Sequence, residues 1–165
     1  MNIRKYVIIY GRLKKTMVYT VRLFGEVKWR FISLGNLNMI VISLAGHTKG
    51  SVGFIVLEED ILISGDALNE GLWLFNYGSL SMMDLYETIK ATLKLDFLTY
   101  LCGHSNKEYD KEKLTLHLRN IENLIIDSKT KKDTLGFETY CSKYEDEKGR
   151  SEIVFTIDKV KNNHC

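Results

Sequence analysis

Three apolar segments of this chain each run into a short motif that contains glycine and a side chain able to bind a metal ion. The first motif reads Gly-His-Thr-Lys-Gly-Ser and contains His47. The second reads Ser-Gly-Asp-Ala-Leu and contains Asp66, and the third reads Cys-Gly-His and contains His104. Short apolar runs bounded by turn residues predict β-strands. Three strand ends would therefore deliver two imidazoles and a carboxylate.

The first half of the chain is predicted to form an antiparallel meander. Its apolar and β-branched runs are short, and turn-forming pairs such as Gly-Glu and Gly-Asn separate them. The predicted strands cover residues 17–24, 29–34, 39–44, 52–57 and 61–63.

The second half changes to a helical period. An i, i+4, i+7, i+11 stripe predicts an amphipathic helix with Ser79 or Ser81 as its N-cap. The stripe consists of Met82, Tyr86, Ile89 and Leu93. A similar stripe predicts a second helix from about residue 111 to residue 128. Strands at 97–101 and 153–157 complete the expected order of helix, strand, helix and strand.

Composition is that of a soluble globular protein, with 45% hydrophobic and 27% charged residues. A chain of 165 residues can bury one core, so we expect a single domain over residues 1–165. The net charge of +2 gives no electrostatic basis for a nucleic-acid partner. No apolar run approaches the ~20 residues that span a membrane. Three widely spaced cysteines argue against a disulfide framework and favour the cytoplasm.

The ordered motifs point to a known family. The order Gly-His-Thr-x-Gly-Ser, strand, Ser-Gly-Asp-Ala-Leu, amphipathic helix, strand and Gly-His resembles the second half of the metallo-β-lactamase superfamily of zinc-dependent hydrolases. The resemblance covers roughly residues 23–124 in motif and the whole chain in element order. It implies an α/β (α+β) protein with an αββα sandwich, here incomplete and truncated on its N-terminal side. The meander would precede helix, strand, helix and strand.

The resemblance also implies roles for the three side chains. His47 matches the histidine that completes the first metal site, Asp66 the carboxylate that bridges two metals, and His104 the last histidine of the second site. The implied cofactor is one or two zinc ions, with iron or manganese as alternatives. Zinc lowers the pKa of bound water toward ~7, and the resulting hydroxide attacks esters, amides, thioesters or phosphoesters.

One departure from the superfamily limits these expectations. The signature cluster His-x-His-x-Asp-His precedes the Gly-His-Thr element in the superfamily, whereas no histidine precedes His47 in this chain. Each metal would then keep two protein ligands, and catalytic zinc usually keeps three. We therefore expect low metal occupancy and weak or absent hydrolysis by the isolated chain.

The missing half also leaves a sheet face without its usual cover, and large exposed apolar faces are typical of interaction surfaces. We expect a homo-oligomer, or a partner chain that supplies the missing half. Two function classes follow. One is a metal-dependent hydrolase of a small-molecule substrate, completed by another chain or by a swapped segment. The other is a metal-free remnant or interaction module that keeps half of the fold.

Aromatic residues follow the Gly-Asp-Ala motif at positions 73, 75 and 77. Trp73, Phe75 and Tyr77 either line a substrate pocket beside the metal ligands or belong to the core or the half-interface. His117 lies on the apolar stripe of the second predicted helix. We interpret it as a core-edge histidine that bonds the backbone, and not as a replacement ligand.

Overall fold

The computed structural model describes residues 8–13, 16–22, 28–124 and 132–160. The strands of that part of the chain are β1 (Ile8–Leu13), β2 (Thr16–Arg22), β3 (Lys28–Ser33), β4 (Asn38–Ser43), β5 (Val52–Val56), β6 (Ile61–Gly65), β7 (Gly71–Leu74), β8 (Thr99–Cys102), β9 (Glu108–Asp110), β10 (Lys132–Thr134), β11 (Phe137–Asp146) and β12 (Gly149–Phe155). The helices are α1 (Met82–Leu93) and α2 (Lys111–Glu122), and short 3-10 turns lie at Asp66–Leu68 and Ile157–Lys159.

The strands form two sheets. The larger has the order β1-β2-β3-β4-β5-β6-β8-β9, and the smaller has the order β10-β11-β12-β7. Neighbours from β1 to β6 pair antiparallel, which confirms the predicted meander where it is described. In contrast, β6 pairs with β8 in parallel, as β12 does with β7. The predicted Gly-Glu turn lies outside the described residues.

A single core joins the two sheets and the helices. On the inner face of the large sheet, a row in register crosses four strands and is buried. The row consists of Ile40, Ile55, Leu62 and Tyr100. Side chains from α1 and from the small sheet complete the same cluster, among them Leu85 and Ile153. Each such aliphatic side chain contributes roughly 1.5–3 kcal/mol by leaving water.

Helix α1 begins where the sequence predicts. Ser81 is its N-cap and forms a capping box with Asp84, which excludes the alternative cap at Ser79. Helix α2 begins after the N-cap Asp110 and ends at Glu122, so the prediction that it reaches residue 128 is wrong. Asn123 caps the end and its backbone N–H bonds back to the last turn.

Several strands of the second half were not predicted. β7 follows the Gly-Asp-Ala motif, where the aromatic residues suggested a pocket or an interface, and β9 is only three residues long. β10 and β11 form a hairpin rich in charged side chains, which hides the alternation of its buried positions. The last strand starts at Gly149 rather than at residue 153.

No helix in the described segments is long and apolar enough to span a bilayer.

Candidate metal site and adjoining cleft

The topology brings two of the three predicted ligands to one edge of the large sheet. Because β6 and β8 are parallel neighbours, their carboxyl ends lie side by side. Asp66 follows β6 directly, and His104 follows β8 by two residues. The backbone N–H of Gly103 donates a hydrogen bond of 2.9 Å to the carbonyl of Gly65, which ties the two strand ends together.

Asp66 and His104 lie next to each other at this edge, and they form an ion pair when the imidazole is protonated. Oδ1 of Asp66 lies 3.2 Å from Nε2 of His104, and both side chains are half exposed or more. A carboxylate can only accept, so this contact is a hydrogen bond when Nε2 of the imidazole carries a proton.

A bulge and a glycine direct Asp66 toward His104. The pairing of β6 with β8 shifts between Ile63 and Gly65, which makes Ser64 an extra residue whose hydroxyl donates to the carbonyl of Leu101 at 3.0 Å. Bulges of this kind re-aim side chains at strand ends. Gly65 has φ 53° and ψ −135°, a conformation that side chains disfavour. The backbone therefore turns sharply just before Asp66.

His47 lies in a separate loop between β4 and β5, and its ring is held by a backbone carbonyl. Nδ1 of His47 lies 2.9 Å from the carbonyl oxygen of Trp73. A carbonyl only accepts, so Nδ1 carries the proton and Nε2 keeps its lone pair. Metal-binding histidines are typically oriented by this kind of second hydrogen bond.

Hydroxyl groups fix the loop that carries His47. The hydroxyls of Thr48 and Ser51 lie 2.9 Å apart, and the Ser51 oxygen accepts the Thr48 N–H at 3.1 Å. Ser79 donates to the carbonyl of His47 at 2.7 Å. These hydroxyls satisfy backbone groups of the turn, and none of the three is hydrogen-bonded to a histidine ring in the described part of the chain.

Trp73 connects the two parts of the site. Its carbonyl orients His47, and its indole stacks on the ring of His104 with centroids 5.9 Å apart and planes inclined by 29°. The indole remains 39% exposed. Of the other aromatics predicted near the site, Phe75 is buried at 2% exposure and Tyr77 is 96% exposed, with its ring edge on Phe137.

A cleft of about 260 Å³ opens beside this site. Trp73 and His104 form its boundary with the site, and His104 is the one side chain that the cleft shares with the Asp66–His104 pair. The lining consists of Asn69, Glu70, Gly71, Trp73, His104, Lys113, Arg150 and Glu152. Lys113 and Arg150 carried no signal in the sequence, because one is an ordinary lysine in the first turn of α2 and the other lies in the unpredicted start of β12.

A buried polar network lies behind the cleft. Nδ1 of His117 lies 2.8 Å from the hydroxyl of Ser151, which also accepts from Nδ2 of Asn120 at 3.0 Å. Ser142 donates to Oδ1 of Asn120 at 2.6 Å. The expected partner of His117 was the backbone, and the structure places the Ser151 hydroxyl at Nδ1 and the backbone of Asn69 near the ring.

Burial keeps His117 neutral. Loss of solvent, aided by the charge of Lys113, lowers the pKa of His117 to about 3, although the nearby backbone of Asn69 acts in the opposite direction. Its Nε2 has no partner within hydrogen-bond geometry among the described residues. A fully buried ring behind the cleft floor is a structural histidine, in line with its place on the apolar stripe.

Comparison with known proteins gives one solved structure of note. No family model matches the sequence, and no curated protein matches it. The structure is similar to that of an archaeal metallo-β-lactamase superfamily protein from Sulfolobus tokodaii, with a TM-score of 0.46 and 18% sequence identity. The likeness covers 59% of this chain and 39% of that protein, so the chain spans about two fifths of that protein's length.

At 18% identity, this is a likeness of fold alone. The mixed α/β arrangement of sheets and two helices is consistent with a partial metallo-β-lactamase-like fold.

The residues present do not by themselves fit a catalytic zinc ion. Asp66 and His104 are adjacent, but in the part of the chain that the structure describes no three His, Cys, Asp or Glu side chains are grouped closely enough to hold a metal. Catalytic zinc usually keeps three protein ligands.

Proposed function

We propose that this chain supplies part of the metal site of a metal-dependent hydrolase and is weak or inactive as an isolated chain. The observation that carries the proposal is the ion pair of Asp66 and His104, 3.2 Å apart at adjacent strand ends. Two groups able to bind a metal meet there, and Asp66 is the carboxylate of the Ser-Gly-Asp-Ala-Leu motif. The substrates in this proposal are small esters, amides, thioesters or phosphoesters, and zinc is the first candidate metal, ahead of iron or manganese.

The orientation of His47 supports the same proposal. Its Nδ1 donates to the Trp73 carbonyl, so Nε2 is the nitrogen left to bind a metal. A histidine held in this tautomer needs no rearrangement of its own proton to serve as a ligand. At least one further ligand has to come from outside the described residues, because those residues hold no group of three metal-binding side chains.

The outer face of the large sheet is the surface on which we propose that a partner chain packs. A row in register on that face consists of Val41, Phe54, Ile63 and Leu101. These side chains are half-buried, except for Ile63, which is 40% exposed. The row ends close to Asp66 and His104, so a chain packed on it would bring its own side chains near the ion pair.

The metal proposal is tested by zinc binding to untagged protein. A chromophoric chelator should report weak binding by the wild type, a clear loss in Asp66→Ala and His104→Ala, and no change in Asp96→Ala, which removes an exposed carboxylate elsewhere. Elemental mass spectrometry on the purified chain gives the native occupancy of zinc, iron and manganese. Equal zinc binding by the wild type and Asp66→Ala would overturn the proposal.

A second candidate function is a metal-free interaction module. The absence of a three-ligand group in the described segments favours it, and so does the apolar outer row. Analytical ultracentrifugation measures how much that row contributes to self-association of the chain. Ile63→Lys should reduce self-association of the chain, whereas Leu98→Lys, at an exposed apolar residue in the loop before β8, should leave it unchanged.

A further inference from the structure

The cleft beside His104 contains a cation whose charged group is left without a partner. Arg150 lies at the start of β12 and is exposed, and its guanidinium has no hydrogen bond or ion pair among the described residues. Lys113 lies beside it on α2, and its ammonium group donates to the backbone carbonyl of Arg150. Two positive charges therefore face one small cavity.

The carboxylates of the cleft are already engaged. Glu152 lies 3.6 Å from the ammonium of Lys143, which is outside the lining. Glu70 interacts with the hydroxyl of Tyr109 and raises the pKa of that group, although loss of solvent is the larger cause of the rise. Because the carboxylates have partners and the guanidinium has none, the cleft favours an anion over a cation.

The environment of Lys113 supports this. Loss of solvent is the main cause that lowers the pKa of Lys113, and Glu70 raises it by more than the charge of Arg150 lowers it. The ammonium group is thus partly desolvated, and charge interactions are stronger in such a setting than in water. A bound anion would compensate for the lost solvent.

Size and shape limit the ligand. The volume of about 260 Å³ lies just below the usual range of small-molecule pockets, which indicates a small organic molecule. Trp73 forms one wall with its indole partly exposed, and an aromatic face of this kind can pack against a planar group. The two carboxylates at the rim disfavour a doubly charged phosphate relative to a singly charged carboxylate.

We propose that this cleft binds the carboxylate of a small organic molecule, with Lys113 and Arg150 as its charged partners and Trp73 against its planar part. The inference rests on the proposed function only in placing the rest of that molecule beside Asp66 and His104. Arg150 provides a planar fork for two carboxylate oxygens, and Lys113 adds a single ammonium donor. The cleft would then select acidic substrates.

Benzoate is the probe that tests this, with benzamide as its neutral counterpart. Two-dimensional NMR of the whole chain in excess EDTA should show a saturable shift of the Trp73 indole N–H, identified by its disappearance in Trp73→Phe. We expect a dissociation constant of about 1 mM for benzoate and much weaker binding of benzamide. Arg150→Met and Lys113→Met should each weaken benzoate binding about tenfold, the loss expected for one charge-assisted hydrogen bond.

Matched variants separate this inference from the metal proposal. Lys94→Met removes an exposed cation that lies outside the lining and has no carboxylate of the cleft as a partner, so it should bind benzoate as the wild type does. The benzoate experiment is carried out in EDTA and needs no metal, so a failure of the zinc experiment leaves its result intact. Benzamide binding as tightly as benzoate, or wild-type affinity in a folded Arg150→Met, would overturn the proposal. Displacement of benzoate by an equal concentration of inorganic phosphate would overturn the choice of a carboxylate.

Discussion

Because Gly103 has no side chain, the carboxylate of Asp66 can occupy the space beside its Cα atom. A Cβ atom at position 103 would overlap Oδ1 of Asp66 and lie 3.5 Å from the carbonyl carbon of Gly65. The glycine of the Cys-Gly-His motif thus permits the approach of Asp66 to His104, and does so without any unusual backbone conformation. Its role is steric.

Gly103→Ala is therefore expected to push Asp66 away from His104. Oδ1 is the end of a half-exposed side chain that can turn aside, so the overlap should lower the free energy of unfolding by no more than about 1 kcal/mol. Denaturant unfolding measures this. Gly50→Ala is the matched control, because a Cβ there meets nothing within 4 Å and the change should be close to neutral. Equal midpoints for the two variants would contradict the steric role of Gly103.

Gly65→Ala tests backbone strain rather than contact. A Cβ at position 65 meets nothing within 4 Å, yet φ is +53°, so the cost arises from the dihedral angles alone. We expect a loss of roughly 1–3 kcal/mol in unfolding free energy. Thermal unfolding monitored by circular dichroism should show a lower midpoint than in the wild type. An unchanged midpoint would mean that the turn before Asp66 is not constrained as the structure indicates.

The burial of His117 predicts that the folded protein loses stability in mild acid. Its folded pKa of about 3 lies below the ordinary value of 6.5, so the unfolded state takes up a proton first as the pH falls. The stabilisation is complete above about pH 6.5 and decreases toward pH 3. At pH 5 the loss amounts to about 2 kcal/mol.

Urea unfolding between pH 7 and pH 5 measures this effect, largely above the titration range of carboxylates. His117→Gln removes the titrating group, so its unfolding free energy should depend much less on pH, whatever its absolute stability. Parallel pH curves for the wild type and His117→Gln would show that His117 is not the source.

Tyr100 and Tyr109 allow a comparison of the stability contributed by a tyrosine hydroxyl without a hydrogen-bond partner and by one with a partner. The hydroxyl of Tyr100 is buried without a partner among the described residues, and burial is the main cause of the raised pKa of that group. Tyr109 instead lies 2.9 Å from the hydroxyl of Ser105. An unpaired buried polar group costs about 1–3 kcal/mol, whereas a satisfied one contributes about 1 kcal/mol.

Tyr100→Phe should accordingly leave stability unchanged or raise it, and Tyr109→Phe should lower it by about 1 kcal/mol. Differential scanning calorimetry of the two variants gives the comparison directly. A larger loss for Tyr100→Phe than for Tyr109→Phe would show that the Tyr100 hydroxyl has a partner, such as an ordered water.

Local sequence signals account for the elements that were predicted correctly. The meander strands β4, β5 and β6 and helix α1 each have a clear hydrophobic period, and Ser81 with Asp84 forms a capping box readable from the letters alone. The strands that were missed, β7 and β11 among them, have short or charged sequences with a weak period. The end of α2 was also placed too late, at residue 128 instead of Glu122.

The sequence by itself determined which side chains stand at the strand ends, because glycine motifs and apolar runs act on their own neighbours in the chain. Only the tertiary structure decided which of them meet. Parallel pairing of β6 with β8 brings Asp66 to His104 across a separation of 38 residues, while the Trp73 carbonyl holds His47 and the fold sets Arg150 beside Lys113. Such contacts depend on register and packing between distant segments, and no local pattern encodes them.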